Sequence, residues 1–254
     1  MPKLELPDSV TTILENTTEE LTANAGKTFG DIWFLIFGGI SHVADKRRAK
    51  YAHDLSIYEQ ELSSAIAEIP EDKRIEPSLQ LTAQALENSK YCIEEEELRQ
   101  MFTKLISHSL NEDFSGKVHP SFAEIIKQMS ILDAKIIQRF KENNRPVIGL
   151  PVCQYIVHIP GALSTVPVPE HIFLELPNID IQLCSQSLSS LSRLGIISVS
   201  YTKKLTAPNV YDKFEEHPLF TTFKSETPFG ISLAQGIAEP TPLGRSFIDV
   251  CVPD

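Results

Sequence analysis

Between Tyr51 and Ile69 the apolar residues Tyr51, Leu55, Tyr58, Leu62, Ile66 and Ile69 recur at steps of three and four. Only an α-helix turns such positions to one side. The stretch must therefore be a helix with one buried face, and Pro70 ends it. The same spacing governs most of the first 143 residues. Val10, Ile13, Leu14, Thr17 and Leu21 form a stripe behind Asp8 or Ser9 as cap. Leu81, Ala85 and Leu86 follow the opener Pro77-Ser78. Glu94 to Glu97 precede Leu98, Met101, Phe102, Leu105, Ile106 and Leu110. Carboxylates favour a helix start, where N–H groups are unpaired. Four consecutive acids point around the axis and cannot converge on one ion.

The tetrad His119-Pro120-Ser121-Phe122 falls where one such helix should begin. Pro120 suits the first helical position, where a missing N–H costs nothing. Phe122, Ile125, Ile126 and Met129 then form a stripe, and Ser130 is placed to cap the next helix, with Asp133 three residues on. His119, at about the cap position, is expected to satisfy a backbone group. The tetrad reads as a helix-start motif.

Ile32 to Ile40 is apolar throughout and holds the single Trp. A spanning helix needs roughly 20 apolar residues. Lys27 and Asp31 on one side and Asp45 to Arg48 on the other confine this run to about half that. A buried core helix or helical hairpin is the first expectation. A membrane-inserting element over residues 28–44, with Trp33, Phe34 and Phe37 as its contact residues, is the second.

Residues 146–177 are rich in Pro and poor in charge, which predicts a linker with short extended pieces. Beyond it the grammar changes. Leu183, Leu188, Leu191 and Leu194 mark an amphipathic helix stopped by Gly195; an alternating strand follows from Ile197 to Tyr201. After a polar loop come a second strand and Thr-Pro-Leu-Gly-Arg, opening a terminal helix. That order is the order of a winged helix. The expected architecture is mainly α: an all-helical domain over 1–145, the linker 146–177, and a small α+β winged-helix-like domain over 178–254.

The stretches Tyr58–Lys73, Tyr91–Leu110, Val118–Ile137, Ser187–Ile197 and Thr241–Cys251 together resemble the abortive infection alpha family of bacterial proteins. The resemblance runs from about Ala49 and implies a role in antiphage defence. It brings no catalytic motif, so no catalytic, cofactor-binding or metal residues are carried over, and no cofactor is expected.

Three function classes compete. In the first, the chain acts by protein contact, by self-association or by membrane disruption, as a cytoplasmic protein that joins the membrane on activation. In the second, the winged helix binds DNA: Ser185, Gln186, Ser189, Ser190 and Arg193 would face the groove, with Lys203 and Lys204 on the wing. The same face could instead serve a protein partner. Charge weighs against DNA. The whole chain carries a formal −11, and residues 178–254 hold six Lys and Arg against eight Asp and Glu, whereas phosphate binding needs a basic face. The third class is an enzyme. Seven histidines lie dispersed without HxxxH or HExxH, and there is no P-loop, GxGxxG or GxSxG. His108 and His119, with Glu112 and Asp113 between them, are the best cluster for metal or acid–base work. Cys92, Cys153, Cys184 and Cys251 stand singly, as reduced thiols do.

Overall fold

The computed structural model describes residues 32–37, 45–76, 78–141, 148–158, 166–167, 171–226 and 230–253, with backbone only for 45–49 and 166–167. The stripe expected from Asp8 to Leu21, the opener Pro77 and the boundary near residue 145 lie outside the described residues. So do 28–31 and 38–44 of the apolar segment. What is described is mostly helical, with one small antiparallel sheet. The chain divides into two compact units, Met1–Ile131 with Asp249–Pro253, and Leu132–Ile248.

In the first unit a helical turn, α1 (32–37), precedes α2 (Asp45–Ala67), the 3-10 turn Glu71–Lys73, and α3 (Leu79–Ser89). Then come α4 (Glu96–Ser109), α5 (Glu112–Ser115) and α6 (Phe122–Lys127). All six expected stripe residues from Leu98 to Leu110 are buried, and α4 packs against α2, α3 and α6. On α2 the stripe is buried at Tyr58, Leu62 and Ile66, while Tyr51 and Leu55 are half-buried. Arg74 closes the end of α2, its guanidinium donating to the carbonyls of Ile69 at 3.0 Å and Ala67 at 3.3 Å. Those carbonyls have no partner within the helix.

The second unit holds α7 (Ile131–Gln138), β1 (Leu150–Val157), β2 (Val166–Pro167), α8 (Ile181–Arg193) and β3 (Ile197–Ser200). It continues with α9 (Asp212–Glu216), α10 (Pro218–Glu226), β4 (Ile231–Pro240) and α11 (Pro242–Cys251), whose last turn belongs to the first unit. The sheet order is β2-β1-β4-β3, every pair antiparallel. β1 lies within the stretch expected as linker. Pro151 is tolerated there because its nitrogen points away from β4, so no ladder bond is lost. One face of the sheet buries Cys153 and Tyr155 against Ile172, Tyr211, Phe214 and Phe220.

Two turns lock this unit. Asp180 caps α8, its Oδ1 accepting from the N–H of Gln182 at 2.8 Å and of Leu183 at 3.1 Å. Gly195, at φ 75°, ends α8 in the left-handed region that glycine adopts without strain. Thr241 then joins the two ends: its Oγ1 donates to the Gly195 carbonyl at 2.6 Å and accepts from the Gly244 N–H at 2.9 Å.

The ion pair between α2 and α4 tests the first unit. Arg99 is buried, and its Nε and Nη2 each lie 3.0 Å from a Glu61 carboxylate oxygen, while Nη1 donates to the Ile93 carbonyl at 3.0 Å. Removing one partner strands the other. Arg99→Met is expected to cost about 2–3 kcal/mol in urea unfolding, below the fully buried range because Glu61 keeps some water. The double variant Arg99→Met/Glu61→Leu should recover more than half of that loss.

Candidate functional site

In the tetrad the N-cap position falls on Ser121, which makes no side-chain capping bond. The Ser121 N–H donates to His119 Nδ1 at 3.2 Å, and the same ring nitrogen lies 2.7 Å from Ser121 Oγ. The helix begins at Phe122, two residues later than Pro120 would open it, and Pro120 sits in the preceding turn. Phe122 is fully buried. His108 stacks on Phe114 with ring centroids 3.9 Å apart and planes at 5°. The two carboxylates between the histidines turn elsewhere: Lys73 Nζ lies 3.0 Å from Asp113 and 3.8 Å from Glu112. Among the described residues no three His, Cys, Asp or Glu side chains are placed to hold a metal ion.

The apolar segment has two sides. Trp33 and Phe37 are buried, with ring centroids 4.5 Å apart, and Trp33 lies 5.7 Å from Tyr58 of α2. Phe34 and Leu35 are 54% and 82% exposed. No helix among the described residues is long and apolar enough to cross a membrane.

In the second unit the exposed side of α8 carries Gln182, Leu183, Gln186, Ser189 and Arg193. Ser185 is turned inward, its Oγ accepting from the His171 N–H at 3.1 Å, and Ser190 Oγ reaches Asp133 at 3.4 Å. Leu183, expected in the buried stripe, is 51% exposed, and Ser185, expected on the outer face, is buried. The spacing 182, 186, 189, 193 marks the outer face, and Leu183 borders it. Lys203 is held by Glu239 at 2.7 Å and Lys204 by the Gln235 side-chain oxygen at 3.1 Å.

Beyond β3, Tyr201 crosses the sheet over Gly236, where any Cβ would strike its ring. Its hydroxyl lies 2.9 Å from His171 Nδ1 and donates to the Cys153 carbonyl at 3.4 Å. All four cysteines are free and buried. Burial pushes the Cys92 thiol up to about 11, Glu95 adding to the effect, and that of Cys153 up to about 12, with Glu215 adding. Such thiols resist becoming the thiolate that nucleophilic chemistry requires.

The model of the family described as abortive infection alpha matches residues 50–251. The chain belongs to that family. No curated protein and no solved structure gives a significant match.

The raised thiols fix a pH dependence. The folded chain keeps protons that the unfolded chain releases near the ordinary thiol pKa of 9.0. Their contribution is therefore complete below that pH and is lost as pH rises toward the folded values. Unfolding free energy should decline between about 9 and 12, and less so in a Cys92→Ser/Cys153→Ser variant. Iodoacetamide should label none of the four thiols at mildly alkaline pH until urea opens the fold, as read by intact mass.

Proposed function

We propose that the chain serves phage defence by contact with another protein, with the outer face of α8 as the contact surface, rather than by catalysis or DNA binding. The observation that carries this reading is the chemistry of that face. Leu183 is half out in water beside the amides of Gln182 and Gln186 and the hydroxyl of Ser189, with Arg193 as the one cation. A surface that neutralises phosphates needs several cations, and Lys203 is already turned to Glu239. An exposed leucine rimmed by polar residues suits a protein partner.

A winged-helix-like reading of the second unit would support the same choice of surface. It rests on α7, β1, α8, β3, β4 and α11 following in that order, with β4 lying between β1 and β3. On that reading α8 would hold the place of the recognition helix. A long insert carrying α9 and α10 stands where a short wing would be. Winged helices also dock proteins, and fold alone does not fix function.

Plaque counts across a broad phage panel test the role directly. Bacteria expressing the wild-type chain should show protection, and Leu183→Arg or Gln186→Arg should remove it without lowering the melting temperature. Duplex DNA at low ionic strength should show no salt-dependent shift, and a shift that Arg193→Ala abolishes would overturn the protein-contact reading. Unchanged plaque counts with wild type would remove the defence role itself.

Membrane contact through residues 28–44 is a second reading, favoured by the exposed pair Phe34 and Leu35. Liposome flotation separates it from the first. If the pair inserts, Phe34→Asp/Leu35→Asp should abolish flotation while leaving the fold intact, because neither side chain is in the core. No flotation of the wild type in any lipid mixture ends that reading.

A further inference from the structure

The longest strand of the second unit is paired along only part of one side. β1 covers β4 from Ile231 to Ala238, whereas β3 covers only Ile237 to Pro240. Two flanking bonds fix which way each backbone group points. The His158 N–H donates to the Gly230 carbonyl on the β1 side at 3.3 Å, and the Thr241 N–H donates to the Ile196 carbonyl on the β3 side at 3.0 Å. Backbone groups alternate along a strand. Ile231, Leu233 and Gln235 therefore turn their N–H and C=O groups away from β1. Among the described residues nothing pairs with these six groups.

β3 ends at Ser200, where the chain bends at Tyr201 and Thr202, and the Tyr201 ring lies over Gly236 in the space a Cβ would fill. The side chains beside the open edge are distinctive. Ile231 and Leu233 are half-buried on the sheet face that packs Tyr155, Phe220 and Phe223. At the Gln235 end stands Lys204, whose ammonium is exposed and bonded, among the described residues, only to the neutral Gln235 side chain.

We infer that this edge takes an extended peptide segment of a partner protein as an added antiparallel strand. The side chains select its chemistry. β-branched apolar residues would lie opposite Ile231 and Leu233 and extend the half-buried apolar face. An acidic residue would lie opposite Gln235, beside the uncompensated Lys204. Strand addition supplies affinity through main-chain bonds and specificity through alternate side chains. The occupant is a short segment rather than a second copy of the chain. Five residues of pairing bury too little for the roughly 1,200 Å² that stable association of folded proteins requires, and a formal charge of −11 opposes self-association. The surface is separate from α8. It rests on protein contact as the mode of action, which plaque counts with the α8 variants test independently.

Fluorescence polarisation on the full chain, with a labelled peptide Asp-Thr-Val-Thr-Val, tests the inference. Wild type should bind it saturably. Gln235→Pro, which removes an N–H only on the open side, should weaken binding at least tenfold with an unchanged circular dichroism spectrum. Lys204→Glu should weaken the Asp peptide several-fold and favour the peptide with Lys in its place, a charge exchange that stays readable if the proline variant does not fold. No saturation at millimolar peptide, or equal binding by wild type and both variants, overturns the assignment. A wild-type dimer in sedimentation that Gln235→Pro dissolves also overturns it, in favour of a second copy.

Discussion

One hydroxyl holds the second unit in register. Thr241 Oγ1 donates to the carbonyl that ends α8 and accepts from the N–H that begins α11. Its backbone N–H, bonded to Ile196, adds the last rung beyond β4. Three elements are therefore referred to a single residue. Gly244 completes the joint, since it lies so close to the Ile196 carbonyl that no side chain fits between.

That joint was also the most legible part of the sequence. Gly195 after a leucine-spaced helix and the Thr-Pro-Leu-Gly-Arg turn announced both ends, because each depends on a backbone requirement that few residues meet. The stripe of α4 was equally plain, for six buried residues at helical spacing leave no competing period. β1 was not legible. Its Val152, Cys153 and Tyr155 are all fully buried, so it lacks the alternation that marks a half-buried strand, and Pro151 argued for a linker. The nitrogen of that proline faces away from β4, which only the register reveals.

The candidate residues divide along the same line. Local contacts need only neighbours: the His119 ring accepts from the Ser121 N–H, although the N-cap is Ser121 and the helix opens at Phe122. Faces are set by partners far along the chain. Ser185 is held inward by accepting from the His171 backbone N–H, and Lys203 is bonded to Glu239 of β4. In the apolar segment, the side of Phe37 was decided by Tyr58 of α2. Sequence separation, more than residue type, decided which expectations held their position.

Among the described residues the four thiols are buried, Glu112 and Asp113 lie near Lys73, His119 accepts from the Ser121 N–H, His108 stacks on Phe114 and His171 meets the Tyr201 hydroxyl. Outward among the described residues are the α8 face, with Arg193 as its cation, and the unpaired edge of β4. Folded proteins normally blunt such an edge with charge, proline or a bulge, because it invites another strand. Here the protection is a single lysine at one end. The register that pairs Ser200 with Ile237 would set Tyr201 opposite Gly236, where its ring already lies, so the pairing stops where the backbone bends at Tyr201 and Thr202 and leaves Ile231, Leu233 and Gln235 without a β3 partner among the described residues.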